Sequence, residues 1–237
     1  NGSGSLSSGA SLNTDDSEAV AIGDFNNDSR LDLVVANSDS HDVSVLLGYG
    51  NGSFHDPLIY STGNRSRPTS VTFEDFNHDN RIDIAVINSG SHTIGIFLGY
   101  GNGTFQDLIT YPTGFTDGTH AIAVGDLNND NALDIIVTGG SKYTHFSVLL
   151  GYGNGTFLNQ AIFVSTLPEY WTSVAVGDFN NDTMLDIVST SLGKSGIIVF
   201  LGYGNLTFGG EKSYLVPSDG YITSVLVVDL NNDFIFI

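Results

Sequence analysis

The sequence contains no cysteine and few basic residues. The lack of cysteine excludes a disulfide scaffold and gives no indication of the redox compartment. Only 7 of the 237 residues are Lys or Arg, against 26 Asp and Glu, so the formal net charge at pH 7 is −19. So acidic a chain lacks the basic surface that binds nucleic acid or an anionic membrane, and we expect neither as a partner.

Three further features are missing: a starting Met, a secretory signal, and any apolar run long enough to cross a bilayer. We therefore expect no membrane insertion and interpret the chain as a processed or excised piece. Hydrophobic residues still make up 41% of the sequence, which is enough to bury the core of an all-β domain.

A nine-residue acidic stretch, called here the acidic loop, recurs at a nearly constant spacing. It reads DFNNDSRLD from Asp24, DFNHDNRID from Asp75, DLNNDNALD from Asp126 and DFNNDTMLD from Asp178, and a shortened copy, DLNND, starts at Asp229. The starts are 51, 51, 52 and 51 residues apart. A fixed period of this size indicates a repeat architecture, so the fold is inferred from one repeat.

Each period contains four short apolar runs, named A to D, and no helical periodicity. In the second repeat the runs are Ser70 to Phe73, Ile84 to Ile87, Ile94 to Leu98 and Leu108 to Tyr111. Such runs, bounded by Gly, Asn and Asp, predict strands, and four strands per repeat match one β-propeller blade. We therefore predict an all-β propeller of four full blades and a partial fifth over residues 19–237. Residues 1–18 are a Ser/Gly-rich segment or the eroded tail of a preceding repeat.

Oxygen-bearing side chains occupy positions 1, 3, 5 and 9 of each of the four full acidic loops. Alternate side chains of a tightly curled loop point inward, which is how Ca²⁺ collects six to eight oxygen ligands. Position 7 shares no side-chain chemistry between copies, so its ligand would be the backbone carbonyl. The predicted calcium ligands are Asp24, Asn26, Asp28, Arg30 and Asp32; Asp75, Asn77, Asp79, Arg81 and Asp83; Asp126, Asn128, Asp130, Ala132 and Asp134; Asp178, Asn180, Asp182, Met184 and Asp186.

The alternative is that the acidic loops are ordinary turns, since Asp and Asn favour turns by bonding their own backbone. Turn chemistry explains one or two such residues, but not three carboxylates and an amide at fixed spacing in four copies. Mg²⁺ is disfavoured because it prefers octahedral, water-rich sites, and Zn²⁺ because no His or Cys recurs in register.

A second signature accompanies the first: LGYGNGSF at Leu47, LGYGNGTF at Leu98 and Leu150, and LGYGNLTF at Leu201. Together with the D-x-N-x-D-x-x-x-D spacing, it resembles the FG-GAP/VCBS repeats that build the propeller heads of integrin α-subunits and many surface proteins. The resemblance implies calcium-binding propeller blades, seven in a complete propeller, and an extracellular or cell-surface location.

In an up-and-down blade the acidic loop (A to B) and the GYGNG turn (C to D) share one end, and the B–C and D–A loops share the other. The second pair differs in every repeat, which is typical of a recognition surface. The candidate ligand-binding residues there are Arg65, Arg67, Phe115, Tyr143, Tyr170, Trp171 and Tyr221. The alternative for Tyr170 and Trp171 is that they cap the core between blades.

These features favour a calcium-stabilised extracellular binding or adhesion module that recognises a protein or a glycan. Two alternatives remain open, a lectin that holds sugars at its aromatic residues and a non-catalytic spacer joined to further repeats of the same array. We expect no enzymatic activity, because no catalytic triad order, HExxH motif, phosphate loop or cysteine nucleophile occurs. Among the N-x-[ST] sequons, Asn64 is the best candidate for glycosylation.

Overall fold

The computed structural model describes residues 17–116, 118–140, 145–164, 171–191, 196–215 and 222–228. Residues 1–16 and the shortened acidic loop at 229–233 lie outside this part of the chain. The described residues form sixteen strands and no helix. The strands make four antiparallel sheets of four, each in simple sequence order, and each sheet is one propeller blade.

The bounds of the strands are as follows. Blade 1 contains β1 (Ser17–Gly23), β2 (Asp32–Asn37), β3 (Asp42–Leu46) and β4 (Leu58–Ser61). Blade 2 contains β5 (Pro68–Glu74), β6 (Asp83–Asn88), β7 (Thr93–Phe97) and β8 (Ile109–Pro112). Blade 3 contains β9 (Thr119–Gly125), β10 (Asp134–Gly139), β11 (His145–Gly151) and β12 (Phe157–Val164). Blade 4 contains β13 (Trp171–Gly177), β14 (Asp186–Ser191), β15 (Gly196–Gly202) and β16 (Phe208–Leu215).

The second strand of the blades is the most deeply buried element. Strands β6, β10 and β14 are buried along their whole length. A strand covered on both faces needs apolar residues at consecutive positions rather than alternating ones. The sequences DIAVIN and DIIVTG have this character, and β14 (DIVSTS) fills its last positions with small hydroxyl side chains.

The chain forms two compact units. The first comprises Asn1–Asp75, Asp79–Ser91 and Gly95–Ile109, and the second comprises Phe76–His78, His92–Ile94 and Thr110–Ile237. The core of the first unit is a cluster of aliphatic residues from β2, β3, β5 and β6 around Phe25, Phe97 and Phe105. The core of the second unit is built around Phe146, Trp171 and Phe200.

Candidate metal centre

The four acidic loops connect the first and second strands of the four blades and share one backbone conformation. Each loop has two residues with positive φ, at positions 4 and 6, where side chains other than Gly are uncommon. They are Asn27 and Ser29, His78 and Asn80, Asn129 and Asn131, and Asn181 and Thr183, with φ between 58° and 70°. The alternation turns the chain tightly enough to bring positions 1, 5 and 7 together.

Backbone amides bind the carboxylates at positions 1 and 5. In the first loop Asp24 accepts hydrogen bonds from the N–H groups of Asp28 (3.1 Å) and Ser29 (2.7 Å), and Asp28 accepts one from Arg30 N–H (2.9 Å). The third and fourth loops repeat these three bonds within 0.1 Å of the same lengths. The acidic side chains therefore help to hold the loop backbone in its conformation.

The carboxylate at position 9 has a different role, because it joins the acidic loop to the C–D turn of the same blade. Asp32 is fully buried and accepts hydrogen bonds from Phe25 N–H (2.9 Å) and Gly48 N–H (2.7 Å). The other three blades make the same bond to the turn, from the N–H groups of Gly99, Gly151 and Gly202 to Asp83 (2.7 Å), Asp134 (3.0 Å) and Asp186 (2.7 Å). The prediction that acidic loop and turn lie at the same end of the blade is confirmed.

Sequence reasoning missed the glycine that makes this contact possible. A Cβ added to Gly48 would lie 2.1 Å from the carbonyl oxygen of Leu31, and the three equivalent glycines show the same approach at 2.1 to 2.2 Å. Real Cβ atoms do not come so close, so only Gly fits. The signal was present as the constant LG that precedes each Tyr of the second signature.

Burial raises the pKa of two of the position-9 carboxylates, Asp134 and Asp186. Burial raises the pKa of Asp134 to about 6; the two backbone hydrogen bonds oppose this, and the nearby Asp130 and Asp126 carboxylates raise the pKa further. Burial raises the pKa of Asp186 in the same way. Burial and the neighbouring carboxylates both make this negative charge costly, and a bound cation would lower that cost.

The loops differ in the cation they supply themselves. Arg30 forms an ion pair with Asp28, and Arg81 pairs with Asp79 in the second loop. The third and fourth loops carry Ala132 and Met184 at that position. The first two loops are therefore partly neutralised by their own side chains, and the other two are not.

The chemistry of the donor set fits a hard cation. Each loop offers three carboxylates and one amide oxygen, the ligand type that Ca²⁺ prefers. Within the described ranges, no three His, Cys, Asp or Glu side chains converge as a metal site. Their oxygens bond loop amides instead, and Asn26 Nδ2 donates to Asp28 Oδ2 at 2.8 Å. Calcium binding remains a prediction for these residues.

The B–C and D–A loops contact each other at the opposite end of the blade. Thr62 N–H donates to His41 O (2.9 Å), and Gly90 N–H donates to Ser66 O (2.8 Å). Arg65 and Arg67 are exposed in this region, each with positive φ. The expected pairing of these two sets of loops is therefore seen in the described residues of the first unit.

Two of the predicted ligand-binding aromatic residues are not on the surface. Trp171 is 1% exposed and packs against Phe146 and Phe200, with ring centroids 6.1 and 5.5 Å apart. Phe115 is also buried. Trp171 belongs to the core of the second unit, the alternative already considered for it, and ligand binding by either side chain stays a prediction. Tyr143, Tyr170 and Tyr221 lie outside the described residues.

The comparison with protein families decides the assignment of the repeats. A family model for the FG-GAP-like repeat matches residues 24–86, 75–137, 132–189 and 178–235. This chain belongs to the FG-GAP repeat family. The resemblance found from the two signatures is thereby confirmed, together with the repeat spacing. Comparison with curated proteins gives no match.

Several solved structures share the fold of this FG-GAP repeat protein. An Agrocybe aegerita lectin that specifically recognises non-reducing terminal N-acetylglucosamine is 19% identical, with a TM-score of 0.55 over 81% of this chain and 50% of that chain. Streptogramin B lyase is 16% identical, with a TM-score of 0.53 over 84% and 60% of the two chains. BBS1N, in its complex with ARL6DN, is 12% identical, with a TM-score of 0.53 over 85% and 57%.

At these identities the likeness extends to the fold alone. The FG-GAP chain spans 50 to 60% of the length of these three structures. Among its described residues, no helix is long and apolar enough to cross a membrane.

Proposed function

We propose that this FG-GAP repeat protein is a calcium-stabilised extracellular or cell-surface binding module. The observation that carries the proposal is the acidic loop, which keeps one backbone conformation and three carboxylates in all four blades. The side chains at positions 1, 3, 5 and 9 and the carbonyl group at position 7 would hold the cation. Bound calcium would supply the positive charge that offsets the clustered carboxylates.

The contacts within each blade limit how much stability bound calcium could add. In each blade the position-9 carboxylate also accepts a hydrogen bond from the C–D turn, so calcium would share this ligand with a backbone contact. Calcium would add stability through mass action, about 2.7 kcal/mol per site at a free concentration 100 times the dissociation constant. Sites of modest affinity would suffice in a medium with about millimolar calcium.

Recognition is assigned to the B–C and D–A loops, which differ in every blade while the opposite end stays constant. Arg65 and Arg67 are the candidate contacts that the structure describes as exposed. The ligand is a protein or a glycan, and adhesion is the role that such a surface would serve.

A lectin is the second candidate, supported by the structural similarity to the N-acetylglucosamine-binding Agrocybe lectin. The burial of Trp171 removes one of the two aromatic residues that favoured it from sequence. We also propose glycosylation at Asn64 and no catalytic activity, with a spacer role within a longer array as a further alternative.

Thermal unfolding with added Ca²⁺ and with EGTA, together with calcium calorimetry, tests the metal proposal. We expect a loss of melting temperature in EGTA and close to four binding sites per chain. The quadruple variant Asp28→Asn, Asp79→Asn, Asp130→Asn and Asp182→Asn should lose the calcium response, while Asp56→Asn, an exposed acid outside the loops, should keep it. No shift and no binding heat in the wild type would show that the acidic loops are structural turns.

A glycan array and a protein-binding screen test the recognition proposal. Binding that is lost in the double variant Arg65→Ala, Arg67→Ala but retained in Lys212→Ala, an exposed cation on β16, would support the assignment to the variable loops. Equal binding by both variants would place the ligand elsewhere.

A further inference from the structure

Each C–D turn carries a tyrosine whose ring lies largely in solvent. The four residues are Tyr49, Tyr100, Tyr152 and Tyr203, and they are between 49% and 59% exposed. In blade 1 the Tyr49 ring stacks on His55 (centroids 3.9 Å apart), whereas Tyr100 and Tyr152 contact no other ring in the described part of the chain. A repeated surface ring of this kind offers a flat apolar face to a group outside the polypeptide.

In three of these turns the tyrosine precedes an N-x-[ST] sequon by two residues, and the three turns share one geometry. The sequons are Asn51-Gly52-Ser53, Asn102-Gly103-Thr104 and Asn154-Gly155-Thr156. In each turn the tyrosine N–H donates to the carbonyl oxygen of the Ser or Thr, at 2.9, 2.9 and 3.0 Å. The tyrosine and the hydroxyl residue are therefore opposite each other, and opposite residues of an antiparallel pair carry their side chains on the same face.

The asparagine at the tip of each turn is held toward that same face with its amide nitrogen open. Oδ1 of Asn102 accepts the hydroxyl group of Thr104 (2.6 Å) and its N–H group (3.0 Å), and Asn154 makes the same two bonds to Thr156. Both asparagines are exposed, and within the described ranges their Nδ2 atoms donate no hydrogen bond. The Gly between Asn and Thr has φ of 81° and 78°, a conformation that only Gly adopts without strain.

We propose that Asn102 and Asn154 are N-glycosylation sites, at which Tyr100 and Tyr152 pack on the first sugar of the attached glycan. Asn51 shares the turn and is a third site. The apolar C–H face of a pyranose ring packs on an aromatic ring as other apolar groups do. The inference rests on the proposed extracellular location, because sequons are modified in secreted proteins.

The donor of this modification is an oligosaccharide carried on a polyprenyl pyrophosphate. The asparagine Nδ2 atom forms a bond to the anomeric carbon of the first sugar, and the bond from that carbon to the pyrophosphate oxygen breaks. The lipid pyrophosphate leaves, and the amide proton passes to a base. No electron transfer is involved, so the step needs no reactant besides the donor and the transferase.

Two other exposed sequons lack this geometry and serve as internal references. Asn64 depends on Ser66, which is fully buried with its hydroxyl group bonded to a threonine at 2.7 Å. In the fourth C–D turn Thr207 Oγ1 donates to Gly204 O (2.8 Å), and not to Asn205. A glycan at either position would therefore lack the arrangement of Tyr, Asn and Thr that the other turns share.

The proposed sites lie at the acidic-loop end of the blade, opposite the variable B–C and D–A loops. Glycans at this end would cover the exposed tyrosine rings and leave the variable loops open to a ligand. The constant end of the blade would then be shielded, and recognition would belong to the variable end.

The first test is the occupancy of each sequon in the full 237-residue chain, secreted from a eukaryotic host behind a cleavable signal peptide. Glycans are released with peptide N-glycosidase in heavy-oxygen water, which converts each modified Asn to labelled Asp for mass spectrometry. We expect glycans at Asn102 and Asn154. A chain modified at Asn64 but at neither of these overturns the proposal and leaves the extracellular location standing. A secreted chain with no glycan overturns the proposal together with the glycosylation of Asn64.

The second test is thermal unfolding at fixed calcium, with the same sequence made in a bacterial cytoplasm as the unglycosylated reference. The double variant Tyr100→Ala, Tyr152→Ala removes both rings, which are exposed, so its unglycosylated form should keep the wild-type circular dichroism spectrum. Glycosylation should raise the melting temperature of the wild type by about 2–6 °C more than that of this variant. Glycans elsewhere on the chain are common to both proteins and cancel in the comparison.

The matched control is the double variant Tyr100→Phe, Tyr152→Phe. It keeps both aromatic faces and loses only the hydroxyl groups, so its melting temperature should respond to glycosylation as that of the wild type does. An equal response in the wild type and in the double Ala variant overturns the packing of the rings on the glycans. A Phe variant that responds like the Ala variant overturns it as well, because the aromatic face would then not be what contacts the sugar.

Discussion

Replacing Asp32 by Ala separates the structural role of the position-9 carboxylate from its proposed role as a calcium ligand. In the wild type this fully buried side chain accepts the N–H groups of Phe25 and Gly48, at 2.9 and 2.7 Å. Alanine leaves both amides without an acceptor in a buried site. An unsatisfied buried donor costs about 1–3 kcal/mol, so the variant should lose roughly 2–6 kcal/mol of unfolding free energy.

The expected loss lies in the lower half of that range, because the wild type also bears the cost of burying the carboxylate. The assay is urea unfolding followed by circular dichroism in EGTA, with Asp56→Ala as the control at an exposed position. If Asp32 served only as a calcium ligand, its removal would cost nothing in EGTA. A midpoint for Asp32→Ala equal to that of the control under these conditions would refute the reasoning.

Three further changes test the same geometry. Gly48→Ala places a Cβ 2.1 Å from Leu31 O and should lower stability by roughly 1–3 kcal/mol in urea, so unchanged stability would contradict the close approach. Burial raises the pKa of Asp134 to about 6, so between about pH 4 and 6 the native state binds a proton there that the unfolded chain releases. The unfolding free energy in EGTA should therefore fall as pH rises from about 4 to about 6. Asp134→Asn should lack that component, and identical pH profiles for variant and wild type would exclude it. Arg30→Ala removes the guanidinium paired with Asp28, so the calcium affinity of the first loop, measured by calorimetry, should rise by up to about fivefold. A lower affinity would show that Arg30 assists calcium binding.

Blade 2 shows how far the repeat pattern predicts the fold. The predicted runs Ser70 to Phe73 and Ile84 to Ile87 lie inside β5 and β6, and the other two runs are displaced by one residue from β7 and β8. Short apolar runs between Gly, Asn and Asp are set by local chemistry, and the period repeats that chemistry four times. The sequence was therefore sufficient to predict the blade and its boundaries.

The contacts between distant segments were not predictable in the same way. The sequence marked Asp32 as a cation ligand, but its bond to Gly48 joins residues 16 positions apart and depends on the folded blade. Trp171 resembled a surface anchor because its neighbours vary between repeats, yet its ring fills the core of the second unit. Burial of a large ring depends on what packs above it, and no pattern within one repeat carries that information.

The hydrogen bonds between the variable loops limit how new specificities can arise in this scaffold. The D–A loop after blade 1 and the B–C loop of blade 2 share the bonds from Gly90 N–H to Ser66 O and from Ser89 N–H to Arg67 O. A Cβ on Gly90 would also lie 2.3 Å from Arg65 O. A grafted loop with a different backbone path would break these bonds, leaving either the B–C amides without acceptors or the D–A carbonyl groups without donors, so the unit of exchange, in evolution or in loop grafting, is the pair.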